Sequence, residues 1–253
     1  MSSNLCQYQI NSFYERQSSD DLEIISSDDN KLYVNKFWLC SHSCYFRALL
    51  TNGCSESNSE NIKLSHTSCV LNTVFKILYY GFYGSEFIKN ECFIKINNID
   101  LLHDFFSTCE EYQLDILKKF AQDYFSCNEN LKMIIGTENN NTSSLITTVV
   151  MFNLENIKKT YQNNIIKKII DIKSINFNNV DSESLCTFFK ESWELLIPAI
   201  VSWAKNRDPT DEEVIELRIN YYNCDPKSHE EALIRCIRKF TKANKFKLTV
   251  LEK

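Results

Sequence analysis

Glycine, proline and histidine are scarce in this 253-residue chain, which has only 4 Gly, 3 Pro and 4 His. A phosphate-binding loop needs several glycines close together, because the backbone must approach the phosphates closely. Four glycines spread along the chain do not form such a loop, and none of the histidines lies in a known nucleophile motif. His103 stands beside Asp104, but a histidine next to an acid is more often an ordinary surface or core residue. We therefore expect no catalytic residues and no enzymatic activity.

Long apolar runs and clustered positive charge are also absent. No run approaches the ~20 apolar residues that cross a bilayer, and the first residues lack the basic and apolar pattern of a secretory signal. The net charge is −5 and the lysines are dispersed, which argues against a nucleic-acid-binding surface. With 43% hydrophobic residues the chain can form a core. We expect a soluble cytoplasmic or nuclear protein without membrane or nucleic-acid partners.

Cysteine, in contrast, is abundant, with 11 residues. The number is odd and the spacings are irregular, so reduced thiols fit better than a disulfide framework. Cys40, His42 and Cys44 could bind zinc, but side chains two residues apart on a helix point in different directions, and no second ligand pair follows. We expect no metal and no other cofactor. The abundance of Asn, Ile and Lys indicates an AT-rich genome, such as that of a large DNA virus or an amoeba, and a viral protein would act in the host cytoplasm.

The first half of the sequence predicts short strands between helices. Residues 8–17 have helical apolar spacing, and residues 21–35 predict a β-hairpin around the polar segment 26–30. Residues 37–50 predict a helix pair capped by Ser41 or Ser43. The polar segment 51–61 predicts a loop.

A strand, a long helix and a hinged helix pair are predicted next. Residues 62–65 predict a short strand, and residues 68–84 predict a helix that ends at Gly84. Residues 99–125 predict two adjacent helices, hinged near Tyr112 and Gln113.

The second half reads as helix after a polar, turn-rich segment at residues 136–144, the strongest internal boundary by composition. Helical patterns occupy five segments: residues 154–172, 183–192, 193–207, 210–222 and 228–244. We find no repeat of 30 to 50 residues, so a kelch or ankyrin array is not expected.

The order of these elements resembles the BTB/POZ domain, and several separated motifs carry the resemblance. Within residues 34–50, "VNKFWLCSHSCYFRALL", the positions that match the family signature are Lys36, Leu39, Ser43, Tyr45, Phe46, Ala48 and Leu49. Asn35 stands where the family usually has histidine. Phe75 and Tyr83 match the end of the family's next helix, and residues 99–125 resemble its closing helix pair. The resemblance covers about residues 8–125.

The C-terminal half is similar to the helical BACK region that follows BTB domains in kelch-type adaptors. Residues 182–209 resemble its acidic-leucine helix and the following helix that ends in tryptophan and a charged turn. The resemblance implies an α+β fold with an N-terminal dimerisation helix (1–19), a BTB/POZ core (20–126) and an all-helical BACK-like extension (127–253).

The resemblance also implies a homodimer. Its interface would include an apolar stripe near the N-terminus and a charged pair near the floor of the dimer pocket. The residues at these positions are Tyr8, Ile10, Phe13 and Tyr14 for the stripe and Asp21 and Lys36 for the pair.

A second implied surface would bind a cullin scaffold. Family members that do so often carry a hydrophobic-x-acidic triplet, which corresponds here to Cys54, Ser55 and Glu56. The candidate cullin-binding residues are Tyr45, Phe46, Cys54, Glu56, Tyr112, Gln113 and Leu114. The sequence thus indicates a dimeric, non-catalytic adaptor that recruits substrates to a cullin-RING ubiquitin ligase or competes there. The alternative is a homo-oligomeric structural or regulatory scaffold that binds no cullin.

Overall fold

The structure of the chain is a computed structural model, which describes residues 16, 20–52, 60–81, 92–135, 141–167, 170–177, 179–207 and 216–217. The chain divides into two compact units, Met1–Tyr124 and Phe125–Lys253. The helices predicted at residues 8–17 and 228–244 lie outside the described residues. Only two residues of the helix predicted at 210–222, Glu216 and Leu217, are described, and both are helical.

The first unit contains a three-stranded sheet with the strand order β2-β1-β3. β1 (Leu22–Ile25) pairs antiparallel with β2 (Lys31–Val34), and β3 (Asn61–Lys63) runs parallel to β1. Alternate residues of the hairpin, such as Ile24 and Leu32, are buried, which is the pattern of a sheet with one face on the core. The predicted hairpin and the predicted short strand are confirmed.

The helices that the structure describes in this unit include α1 (Lys36–His42), α2 (Cys44–Thr51), α3 (Ser68–Gly81), α4 (Ile99–Glu111) and α5 (Asp115–Phe125). Of the two serines predicted as caps, Ser43 is the N-cap of α2, whereas Ser41 lies inside α1. The helix predicted at 68–84 is confirmed to Gly81, and Gly84 lies outside the described residues. The hinge predicted between α4 and α5 is confirmed at Tyr112 and Gln113.

In the described part of the second unit, all regular secondary structure is helical. It contains α6 (Asn128–Ile135), α7 (Asn141–Met151), α8 (Glu155–Ile166), a 3-10 turn (Ile172–Ser174), α9 (Ser182–Phe189) and α10 (Trp193–Arg207). Its core includes Trp203, whose indole N–H donates to the carbonyl oxygen of Val180 at 2.8 Å. A small sheet with clustered helices, followed by a helical extension, confirms the expected α+β class.

Two local predictions in this unit are wrong. Residues 141–144 were expected to continue a loop, but they form the first turn of α7. Polar side chains are favourable there because they can bond the exposed amides of a first helical turn, and the buried residues Leu145, Ile146 and Val149 give the helix an apolar face. The helix predicted at 154–172 ends at Ile166.

None of the described helices is both long enough and apolar enough to cross a membrane.

Candidate functional site

Ser43 joins the start of α2 to the turn that follows α4. Its side-chain oxygen accepts a hydrogen bond from the Phe46 amide at 3.1 Å and donates one to the Tyr112 carbonyl oxygen at 2.7 Å. Ser43 is only 2% exposed. An N-cap hydroxyl normally satisfies one amide at the start of its own helix. Here the same hydroxyl also fixes the position of α2 relative to a turn 69 residues away in sequence.

The turn at Tyr112–Leu114 ends α4 as a Schellman motif. The Leu114 amide bonds the Cys109 carbonyl at 2.8 Å, and the Gln113 amide bonds the Glu110 carbonyl at 3.2 Å. These are the 6→1 and 5→2 hydrogen bonds of that motif, and the first residue after the helix cap must adopt a left-handed conformation to form them. Gln113 occupies this position with φ 53°, although glycine is the usual residue there. The backbone geometry leaves the Gln113 side chain exposed.

Three aromatic rings pack around this turn. The centroid of Tyr112 lies 5.0 Å from that of Tyr45 and 5.0 Å from that of Phe46, in tilted geometry. Phe46, Tyr112 and Leu114 are almost fully buried, whereas Tyr45 is half-buried. Burial raises the pKa of Tyr112. Five of the predicted cullin-binding residues are therefore brought together, with Tyr45 and Gln113 reaching the solvent and the other three supporting them. We call this region the Tyr45–Gln113 face.

The remaining predicted members of this surface, Cys54 and Glu56, lie outside the described residues.

A buried histidine behind the turn was not identified from the sequence. His66 lies between β3 and α3, with Nδ1 2.5 Å from Asp104 Oδ1 and Nε2 2.9 Å from Glu111 Oε2. Its side chain is 7% exposed, and its ring meets the Tyr112 ring edge-on with centroids 5.5 Å apart. Asp104, which the sequence paired with His103, thus also contacts His66. Asp104 lies 38 positions and Glu111 45 positions after His66 in the sequence, so no local motif signals the cluster.

The electrostatics of His66 favour its charged form. Burial acts to lower the pKa of His66, but the hydrogen bonds and negative charges of Asp104 and Glu111 oppose this effect, and the net pKa is raised above 6.5. Both ring nitrogens are occupied by carboxylates, so neither can activate a neighbouring hydroxyl as a general base.

A second surface surrounds the start of α1. Phe37 is 82% exposed, which is the largest exposure among the large hydrophobic side chains that the structure describes. Next to it, the Trp38 ring stacks on Tyr79 with centroids 3.8 Å apart. Asp21, predicted at the dimer interface, is exposed in the single chain and accepts the backbone amide of Lys36 at 2.7 Å. We call this region the Phe37 face.

The apolar stripe predicted at the same interface, formed by Tyr8, Ile10, Phe13 and Tyr14, lies outside the described residues.

The sequence also raised a zinc site at Cys40, His42 and Cys44. Cys40 Sγ lies 3.6 Å from the Phe46 carbonyl oxygen, and His42 Nδ1 lies 2.9 Å from the Trp38 carbonyl oxygen. Cys44 is exposed. Within the described ranges, no group of three His, Cys, Asp or Glu side chains is arranged to hold a metal ion.

Comparison with known protein families agrees with this geometry. Residues 10–129 match the family model of the BTB/POZ domain. No curated protein matched the chain.

Proposed function

We propose that the chain is a dimeric, non-catalytic adaptor for a cullin-RING ubiquitin ligase, because residues 10–129 match the model of the BTB/POZ domain, a module that supports protein interactions. It would recruit substrates to the ligase or compete with adaptors that do, in the cytoplasm or nucleus. The family match carries the adaptor role. The dimer and the cullin contact each depend on one of the two surfaces described above, and the BACK-like role depends on the second unit.

The Phe37 face supports self-association. Burying a phenylalanine side chain contributes roughly 1.5–3 kcal/mol, and Phe37 leaves 82% of its surface in water in the single chain. Twofold association is the commonest way in which a chain buries such a residue against a copy of itself. Asp21 and Lys36 lie beside it, and a partner that covered them would bury a pair of charges.

The Tyr45–Gln113 face supports the binding of a cullin. A half-buried tyrosine offers an apolar ring and a polar hydroxyl, which is why tyrosine is enriched at interfaces. The Schellman bonds of Gln113 and the Ser43 bond to Tyr112 fix the backbone beneath the face. A surface that is already ordered loses less conformational entropy when a partner binds.

The second unit supports a BACK-like role for residues 127–253. Its described residues form five helices, as a helical extension of an adaptor requires. In this proposal the extension either lengthens the cullin surface or presents a substrate.

The alternative proposal is a homo-oligomeric scaffold that binds no cullin. One observation favours it: Asn35, which replaces the usual family histidine, accepts the Trp38 amide at 3.0 Å as the N-cap of α1. Asn35, the residue that departs from the family pattern, therefore stabilises the start of α1 within the single chain, and this role needs no partner protein.

Light-scattering mass measurement distinguishes the two proposals. The protein alone should have twice the chain mass of 29.7 kDa, and mixing with the N-terminal domain of a cullin should give a two-plus-two complex. Tyr45→Lys should abolish the complex and leave the dimer, whereas the control Ile94→Lys, at another exposed apolar residue, should leave both. A dimer that ignores the cullin supports the scaffold, and a monomer contradicts both proposals.

A further inference from the structure

His66 is placed where only the doubly protonated ring satisfies both of its neighbours. A neutral imidazole has one N–H donor and one lone pair, whereas the imidazolium has two donors. Nδ1 and Nε2 each face a carboxylate oxygen, at 2.5 and 2.9 Å. In the neutral ring, one nitrogen lone pair would point at a carboxylate oxygen, which is a repulsive arrangement in a poorly solvated site.

We propose that His66 is an imidazolium that bridges Asp104 and Glu111 and acts as a charge-dependent latch on the turn Tyr112–Leu114.

The latch acts on the turn through the end of α4. Asp104 and Glu111 are seven residues apart, which is two helical turns, so they lie on the same side of α4. Glu111 is the last residue of the helix, and the next residue, Tyr112, presents its ring to His66. A change at His66 therefore acts on both the final residue of α4 and the first residue of the turn.

Asp104 and Glu111 are the charged groups bonded to the His66 ring, and the other polar groups around them are neutral. The hydroxyl of Thr67 donates to Asp104 Oδ2 at 3.2 Å, and that of Ser65 donates to Glu111 Oε1 and Oε2, each at 3.2 Å. The hairpin contributes the Ser27 amide, which donates to the His66 carbonyl at 2.9 Å. These bonds come from neutral donors, so loss of the imidazole proton would remove the positive charge that holds Glu111, and with it the end of α4, against His66.

The hairpin also brings a third acid near the cluster. The Asp28 carboxylate accepts the amide of Ser68, two residues after His66, at 2.9 Å. From the aromatic cluster, Tyr112 packs against the imidazole, and burial raises its pKa, so its hydroxyl stays neutral over the range in which a histidine titrates.

The direction of the pH effect follows from linkage. A group whose pKa is raised in the folded state stabilises that state fully below its unfolded-chain value, ~6.5 for histidine. This stabilisation is lost as the pH rises through the raised value. The latch is therefore closed in mildly acidic solution and opens on the alkaline side.

Two measurements on the full chain test the latch. The first is an NMR titration of the histidine rings from about pH 6 to about pH 9, with the His66 signals identified by their loss in His66→Gln. We expect the His66 midpoint above ~6.5. A midpoint at or below that value overturns the proposal.

The second measurement is urea unfolding over the same pH range. The unfolding equilibrium constant should rise by up to about tenfold per pH unit between the unfolded and folded midpoints, which is the limit for one proton. His66→Gln should remove this rise, and His66→Lys, which keeps a positive charge, should also be flat but more stable than His66→Gln. The control His103→Gln should keep the rise, and its loss in that variant would contradict the proposal.

The effect on a partner rests on the proposed function, whereas the latch does not. If the Tyr45–Gln113 face binds a cullin, the affinity should fall as His66 loses its proton, and His66→Gln should remove that pH dependence. A His66 that titrates as expected in a protein that binds no cullin at any pH refutes the proposed function and leaves the latch standing. A protein that binds cullin but whose His66 midpoint is not raised refutes the latch and leaves the proposed function standing.

Discussion

The Ser43 hydroxyl donates a hydrogen bond of 2.7 Å to the carbonyl oxygen of Tyr112 and thereby fixes the start of α2 against the end of α4. The bond is buried, so water does not replace it when it is lost. Because Ser43 is also the N-cap of α2, one hydroxyl stabilises a helix end and orders the turn that carries Gln113. Together these two effects fix the positions of Tyr45 and Gln113 in the Tyr45–Gln113 face.

Ser43→Ala should lower the free energy of unfolding by about 1.5–5 kcal/mol. Loss of the cap accounts for about 0.5–2 kcal/mol, and the buried Tyr112 carbonyl that loses its donor accounts for about 1–3 kcal/mol. Urea unfolding measures the change. The matched control is Ser41→Ala, because the Ser41 hydroxyl is exposed and bonds only within its own turn, to the Trp38 carbonyl and His42 Nδ1. It should change stability by no more than about 0.5 kcal/mol, and equal effects would contradict the role of Ser43.

The sequence predicts those features of the fold that depend on local patterns. Alternating apolar residues predict the hairpin, and the serine before an aromatic pair predicts the α2 cap. The hinge at Tyr112 and Gln113 follows from the interruption of helical spacing. The His66 cluster could not be predicted, because its contacts depend on how β3 and α4 pack. Helix α7 was missed at its start because burial of Leu145 and Ile146 outweighs the low helix propensity of the preceding polar residues.

Phe37→Ala should shift the protein from dimer towards monomer if the Phe37 face is the self-association surface. Truncating an apolar side chain that anchors an interface costs about 1 kcal/mol or more, roughly fivefold or more in affinity. Light-scattering mass over a dilution series measures this shift. Ile94→Ala is the matched control, because Ile94 is also an exposed large apolar residue of the first unit, at 54%. A Phe37→Ala protein that dissociates no more readily than the wild type would exclude this face.

Asp28→Ala should destabilise the first unit and reduce its sensitivity to acid. The Asp28 carboxylate accepts bonds from the Ser68 amide at 2.9 Å, the Ser68 hydroxyl at 2.8 Å and the Ser26 hydroxyl at 2.5 Å. Desolvation acts to raise the pKa of Asp28, but these bonds and that from Asn30 together hold it well below 3.8. Because Asp28 accepts the first amide of α3 as a capping side chain does, the loss at neutral pH should be about 0.5–2 kcal/mol.

The sign of this effect follows from the lowered pKa. A carboxylate with a depressed pKa contributes stability above its unfolded-chain value of ~3.9 and loses that contribution as the pH falls. The unfolding free energy of Asp28→Ala should therefore decline less steeply than that of the wild type between about pH 5 and about pH 2. Asp29→Asn is the control, because Asp29 forms only an exposed ion pair with Lys63 at 3.1 Å, and asparagine tolerates its φ of 57°.

Trp203→Phe should destabilise the second unit by about 1–3 kcal/mol, the cost of leaving a buried acceptor without its donor. The indole N–H bonds the Val180 carbonyl at 2.8 Å, and both residues are almost fully buried. Urea unfolding followed by circular dichroism measures the change, since tryptophan fluorescence differs between the two proteins. Trp203→Ala should cost more, about 3–5 kcal/mol, because it also leaves a cavity. Equal stability of Trp203→Phe and the wild type would show that the hydrogen bond contributes nothing.

Gln113→Val should lower the stability by about 1–3 kcal/mol, although the side chain is exposed. The Schellman motif needs φ near 53° at this position, and a β-branched residue is strained in the left-handed region. Gln113→Gly should stay within about 1 kcal/mol of the wild type, because relief of strain offsets the greater freedom of glycine when unfolded. Urea unfolding compares the two variants. If Gln113→Val is as stable as Gln113→Gly, the backbone of the turn is not fixed in the left-handed conformation. The Tyr45–Gln113 face would then not be ordered before a partner binds.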